Sequence, residues 1–244
     1  RQAIRKSVSA LVIDNPPINV LSSSVVNELC NKLKTLEDHK DTDVIVLMGK
    51  NDCFSAGADI REFDKFRMEQ QEKSFELSSF VDRLENCSKP VVAYLRKFAY
   101  GGGLEVALGC HYRVAHEETK LGLPEVKIGL IPGAQGTQRL PRLIDINYAL
   151  KMIAYGRHIY PQQAMRFGLI DKIVSSDGAM FDFATTLAKN PYEDRKLSLQ
   201  PVKIDKNADA SKIIQDYRVN LQLKSKGMDA PLLGVDAVAG AVNA

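Results

Sequence analysis

The stretch Gly101-Gly102-Gly103-Leu104-Glu105-Val106-Ala107-Leu108 carries the reading of this chain. Three consecutive glycines let a backbone turn tightly and let its N–H groups approach a ligand closely. At the start of a helix those donors point outward at the positive end of the helix dipole, where an anion or a developing oxyanion can be held. The residues that follow are apolar nearly all round, the pattern of a buried helix. Glu105 is the one charge among them, with no Lys or Arg three or four positions on. A carboxylate buried without a local partner has a perturbed pKa, and such groups cluster at active sites. The alternative is a carboxylate that faces a solvent gap or complements the helix N-terminus.

Working outward, Gly122-Leu123-Pro124-Glu125 supplies a second acid. Alone it reads as a surface loop. Paired with Glu105 it reads differently, because two carboxylates on separate elements can share one water and divide acid and base duties. Upstream, Phe54-Ser55-Ala56-Gly57-Ala58-Asp59 is a second run of small residues that exposes backbone N–H groups. Asp59 followed by Glu62 has the spacing of a capping box, which favours a structural N-cap over a catalyst at Asp59. Pro132-Gly133-Ala134-Gln135-Gly136-Thr137-Gln138 is a third small-residue loop entering a helix, and by itself only a turn.

The flanks set the fold class. Ser7 to Ile13 reads as a strand stopped by Asn15-Pro16-Pro17, and Val44 to Met48 and Val91 to Leu95 as buried strands. Val26, Leu29, Leu33 and Leu36 form an amphipathic helix that Ser22 to Ser24 can cap, and a polar helical stretch runs through about Cys87. Strands alternating with helices argue for an α/β domain. From about Pro132 helical patterns dominate: Ile144 to Ile153, Pro161 to Phe167 and Ala179 to Lys189. Pro191 and Pro201 bracket a polar, linker-like stretch, followed by helical Ser211 to Leu223 and Gly234 to Val242.

Composition excludes more than it selects. A formal net charge of +3, from 33 basic and 30 acidic residues, is no electrostatic footprint for a nucleic acid. Cys30, Cys53, Cys87 and Cys110 lie far apart, which argues for free thiols rather than a metal or redox motif. No apolar run approaches the roughly 18 to 20 residues that span a bilayer. Gly101-x-Gly103-x-x-Val106 lacks the third glycine of a dinucleotide fingerprint, and no phosphate-binding Gly-Lys-Ser/Thr or Gly-x-Ser-x-Gly elbow occurs. His111 and His116 read as structural.

Taken in order, Asn15-Pro16-Pro17-Ile18-Asn19, Phe54 to Ile60, Gly101 to Leu108, Leu123-Pro124-Glu125 and Pro132 to Leu140 resemble the crotonase (enoyl-CoA hydratase/isomerase) superfamily. The resemblance covers about residues 7 to 175. It implies an α/β fold, a crotonase-like spiral of ββα repeats followed by C-terminal helices, in a monomer or a family-type trimer. It implies acyl-CoA thioesters as ligands and hydration of trans-2-enoyl-CoA in fatty-acid β-oxidation, with Δ3-Δ2-enoyl-CoA isomerisation as a second activity. A dedicated isomerase, or a non-catalytic crotonase-like RNA-binding or scaffold protein, is the alternative. Carried over residue by residue, the Ala58 and Gly102 N–H groups are the oxyanion donors. Glu105 orients and activates the water, and Glu125 gives a proton to the α-carbon. Ala56, Asp59, Ile60, Gly101, Pro132 and Gly133 are the expected substrate contacts. The sequence departs from the family pattern at Lys97, Tyr100 and Gln135. The first two are expected to reshape the entry to the oxyanion loop and Gln135 the acyl pocket.

Ala107 to Arg113 and Gly122 to Val126 resemble, within that family, the N-terminal hydratase/isomerase part of peroxisomal multifunctional enzymes of type 1. That implies a hydratase/isomerase domain over residues 1–190. Residues 191–244 are then a linker and helical segment leading to a missing dehydrogenase part. Hydration needs no cofactor, and NAD enters only if the full-length chain carries a dehydrogenase. The resemblance implies the peroxisome, with the mitochondrial matrix or a bacterial cytoplasm as alternatives. No metal, nucleic acid or membrane span is expected.

Overall fold

The computed structural model describes residues 7–62, 74–189, 195–224 and 227–243. Its frame is a parallel sheet in the order β1 (Val8–Ile13), β2 (Val44–Gly49), β3 (Val91–Leu95), β5 (Tyr112–His116) and β8 (Lys172–Val174). Every neighbouring pair is parallel, so each connection must cross over. Helices α1 (Ser23–Asp38), α2 (Ser74–Glu85) and α3 (Gly102–Gly109) lie on the face of Ile45, Leu47, Ala93 and Leu95. On the other face Val44, Val46, Val92, Tyr94 and Val114 pack against Met180, Ala184 and Ala188 of α7 (Asp177–Lys189). Burial on both faces is why β2 and β3 are continuous apolar runs rather than alternating ones.

A second sheet of three short strands joins β4 (Phe98–Tyr100), β6 (Lys120–Gly122) and β7 (His158–Ile159). Here β4 pairs with β6 in parallel, and single bridges extend the row through Ser55↔Ala99 and Leu21↔Ala58. The chain therefore winds as successive turns, each giving one strand to the large sheet, one short strand or bridge to the small one, and then a helix. These are the ββα repeats of a crotonase fold. The inner strands span two or three residues, or a single bridge, too short for a period-two pattern to register.

Helix α1 starts where expected, with the Ser22 hydroxyl accepting from Val25 N. Residues 63–73 of the polar stretch lie outside the described residues, and α2 covers its second half. The expected Ile144–Ile153 helix is α5 (Ile146–Tyr155), shifted because Asp145 caps it through Asn147 N at 2.9 Å. It follows α4 (Gly136–Leu143) and precedes α6 (Pro161–Phe167). Residues 190–194, the start of the linker-like stretch, lie outside the described residues. Beyond them Lys203 N donates to Pro141 O at 2.8 Å, and Lys203 O accepts from Ile146 N at 2.9 Å. Leu197, then Ile214 and Leu221 in α8 (Ala210–Lys224), and Val235 and Val238 in α9 (Ala230–Asn243), join the same core as Leu140 and Leu150. Among the described residues no helix is long and apolar enough to cross a membrane.

Candidate active site

The passage from β4 into α3 is built by glycine. Gly101 sits at φ +51 and ψ −127, where a side chain is disfavoured, and its N–H is tied to Gly122 O at 3.0 Å. Gly102 opens α3, so its N–H belongs to the first turn and has no partner within the helix. Beside it runs the loop 55–58. Leu21 donates to Gly57 O at 2.8 Å and accepts from Asp59 N at 3.4 Å, which turns the N–H of Ala58 away from Leu21. Gly57 (φ +102) lets the two loops meet: a Cβ there would lie 2.7 Å from Tyr100 O and 3.2 Å from Gly102 N. A Cβ on Gly102 would in turn lie 3.2 Å from Ala58 N. Two backbone donors, on Ala58 and Gly102, are thus brought side by side.

Both line a cavity of about 760 Å³, together with Glu105 and Glu125. Glu105 projects from α3 and is 2% exposed. Its Oε1 accepts from Ala134 N at 2.8 Å and from Gly136 N at 2.7 Å. Burial raises the Glu105 carboxyl well above the usual carboxylate range, and nearby Glu125 pushes the same way, against the two N–H bonds. Glu125 opens a 3-10 turn (Glu125–Ile128) after Pro124. Its Oε1 lies so close to Gly101 that a Cβ there would sit 2.9 Å away, while its buried Oε2 has no hydrogen-bond partner among the described residues. Burial raises this carboxyl too. Two carboxyls that burial raises toward neutral pH therefore face one cavity with two backbone N–H donors, so that one can be ionised while the other keeps its proton, an arrangement suited to proton transfer beside a developing oxyanion.

The other sequence-picked positions divide. Ala56, Asp59, Ile60, Gly101 and Gly133 line the cavity; Pro132 is buried and does not. Asp59 caps the turn that begins at Ile60, accepting from Arg61 N at 3.1 Å and pairing with the Arg61 guanidinium at 2.6 Å. Among the described residues no side-chain bond between Asp59 and Glu62 closes the capping box. Glu62 turns instead to Ser23 and accepts from its N–H at 3.0 Å, at the N-terminus of α1. Lys97 and Tyr100 do not line the cavity: Lys97 is exposed over the Phe98 ring and Tyr100 stacks on it at 5.5 Å. Gln135 does not line the acyl cavity as expected either. Its amide points away, donating to Asp82 Oδ1 at 2.9 Å and accepting from Arg139 Nε at 3.0 Å. His111 is a core group, with Nδ1 accepting from Val91 N at 2.9 Å. Among the described residues no group of three or more His, Cys, Asp or Glu could hold a metal ion.

Sequence reasoning passed over Leu77, whose Cδ2 would lie 2.8 Å from a Cβ on Gly102, because its neighbours are polar. It also passed over Ile128, Leu130 and Ile131 at the mouth. Ile128 is 60% exposed and Leu130 40%, apolar residues with no strand or helix period, and that oddity was the available signal.

A family model described as enoyl-CoA hydratase/isomerase matches residues 3–228. The chain belongs to the enoyl-CoA hydratase/isomerase family. It is 39% identical over 98% of its length to the peroxisomal bifunctional enzyme of Pongo abelii, covering 32% of that protein. It is 38% identical over 76% of its length to a probable enoyl-CoA hydratase of Bacillus subtilis (strain 168), covering 73% of it. Among solved structures, an enoyl-CoA hydratase from Thermoplasma volcanium GSS1 matches with a TM-score of 0.71 at 26% identity. That likeness covers 96% of this chain and 87% of the other. The chain spans about a third of the length of the peroxisomal bifunctional enzymes it matches.

Proposed function

We propose that this chain hydrates trans-2-enoyl-CoA thioesters to 3-hydroxyacyl-CoA as a step of fatty-acid β-oxidation. The observation that carries the reading is that two backbone donors and two carboxyl groups open into one cavity. The thioester oxygen sits between the N–H groups of Ala58 and Gly102. A water sits between Glu105 and Glu125. Glu105 takes a proton from the water as its oxygen bonds to the β-carbon, and Glu125 gives a proton to the α-carbon. The negative charge that builds on the thioester oxygen meets donors already aimed at it, so little reorganisation is needed at the moment of reaction. Removing such a donor typically costs about 2.7 to 4 kcal/mol in the transition state.

Isomerisation of 3-enoyl to 2-enoyl thioesters is the second activity of the same site. It needs only one group to carry a proton between two carbons, and Glu125, with one oxygen that has no hydrogen-bond partner among the described residues, suits that role. Likeness to the peroxisomal enzymes supports a peroxisomal setting and a dehydrogenase following in the natural chain, the part that would use NAD. The packing of α8 and α9 onto α5 and α4 supports a monomer.

The test is loss of the ultraviolet absorbance of the conjugated thioester in crotonyl-CoA and in a longer trans-2-enoyl-CoA. The expected product, confirmed by mass, is the 3-hydroxyacyl-CoA. No loss with either, but formation of the conjugated product from a 3-enoyl-CoA, would replace hydratase by isomerase. Inactivity with all three would overturn the reading.

A further inference from the structure

The turn that holds Glu105 is itself held from behind. Ala134 N and Gly136 N both donate to Glu105 Oε1, and the residue between them, Gln135, sits at φ +73 and ψ 9. This is the left-handed region, which disfavours any residue with a side chain. The Gln135 amide is caught between opposite charges, with Nε2 on Asp82 Oδ1 at 2.9 Å and Oε1 on Arg139 Nε at 3.0 Å. Arg139 is 1% exposed and also reaches Asp82 through Nη2 at 2.8 Å and Glu85 through Nη1. Glu85 accepts in addition from Ser198 N at 3.0 Å. Asp82 and Glu85 lie on α2 and Arg139 on α4, so the clamp joins two helices to the turn between Pro132 and α4. None of Gln135, Asp82, Glu85 and Arg139 lines the cavity.

We propose that Gln135, clamped by Asp82 and Arg139, is a positioning residue for Glu105: it locks the turn so that both N–H groups stay on one carboxylate oxygen. The inference rests on the role given above to Glu105. Two donors on one oxygen fix where the carboxylate sits, leave Oε2 for the reacting water, and favour the ionised form that a base must have. Loosening the turn weakens all three together, and catalysis is sensitive to small displacements. The charges around Glu105 are otherwise accounted for. Glu125 acts on it directly, and Asp59, Glu62, Glu76 and Lys127 line the same cavity. Arg139 faces Asp82 and Glu85, Arg83 faces Cys30, and Arg142 faces the carbonyls of Gln138 and Ala241.

The test compares Gln135→Leu, which keeps bulk and removes both hydrogen bonds, with Gln135→Gly, which suits the left-handed turn and also lacks the clamp. Two readouts are taken: kcat and KM for a trans-2-enoyl-CoA across pH, and the titration of the Glu105 carboxyl by ¹³C NMR in the free protein. The expected result for Gln135→Leu is a kcat lower by about tenfold or more, with KM little changed. The acidic limb of the rate profile and the NMR titration should both move to higher pH. If Gln135→Leu does not fold, Gln135→Gly gives the answer alone, with the same shift expected. Folded variants with unchanged titration and kcat, even with lowered thermal stability, would overturn the proposal. If Glu105→Gln leaves hydration intact, the role of Glu105 fails, and the NMR titration still decides whether Gln135 holds it.

Discussion

Glu105 and Glu125 face one cavity but are held in opposite ways. Glu105 grows from a helix buried along its whole length, and one of its oxygens takes two backbone N–H bonds. Glu125 stands at the head of a four-residue 3-10 turn, rests against Gly101, and has an oxygen with no partner among the described residues. The first arrangement ties a carboxylate by hydrogen bonds, and the second leaves one oxygen untied among the described residues. A base that must orient a water benefits from the first. An acid that must deliver a proton to carbon, or move it between two carbons, benefits from the second. The shared feature is burial, which raises both carboxyls.

The largest expected effect removes either acid. Glu105→Gln and Glu125→Gln should each lower the hydration kcat by about 10²–10⁴-fold, measured under saturating substrate. The contrast predicts that they part company on isomerisation: Glu125→Gln should abolish it, while Glu105→Gln should harm it less than hydration. Equal loss of both activities in both variants would break the comparison.

The next effect comes from crowding each carboxylate. A Cβ on Gly136 would lie 2.8 Å from Glu105 Oε1, a group held by two bonds and unable to yield. A Cβ on Gly101 would lie 2.9 Å from Glu125 Oε1, at the end of a side chain whose other oxygen has no hydrogen bond among the described residues. Gly136→Ala should therefore cost about 10²-fold in kcat, the scale of a misplaced catalytic group. Gly101→Ala should cost less through Glu125, although its φ of +51 adds backbone strain that lowers thermal stability. Steady-state kinetics with melting curves on both variants separates the two costs.

The smallest effect is on stability. A carboxyl whose folded pKa is raised binds its proton more tightly in the native state than in the unfolded chain. Its contribution is fully favourable below the unfolded value and is lost as pH rises through the folded value. Glu105→Gln removes that loss while one side-chain oxygen can still accept from Ala134 and Gly136. The variant should be more stable than the parent above the usual carboxylate range, by on the order of 1 kcal/mol, with the gain vanishing near pH 4. Denaturant unfolding at acid and at mildly alkaline pH measures it. A gain that persists at acid pH would show that packing rather than ionisation is responsible.

How far the sequence could be read follows from where its signals are local. The buried strands β2 and β3 announce themselves as short apolar runs, α1 by its period and a serine cap, and Glu105 by its isolation in an apolar helix. The inner strands do not, because Phe98–Tyr100 and Lys120–Gly122 are each three residues long. The loop at Pro132 to Gln138 reads only as a turn, since nothing local shows that its N–H groups end on a carboxylate some thirty residues upstream. Gln135 misleads for the same reason, its partners Asp82 and Arg139 being brought together by the packing of α2 beside α4.

The sequence by itself determined the α/β alternation, the two glutamates, and the glycine-rich loops that expose backbone donors. These depend on residue type and near neighbours, through side-chain period, missing Cβ atoms and a charge with nothing to pair. Only the tertiary structure decided that Ala58 and Gly102 stand side by side, that Glu105 is gripped while Glu125 is not, and that the tail packs into the common core. Each of those depends on a contact between segments far apart in the chain, and such a contact exists only once burial of the shared core has brought them together.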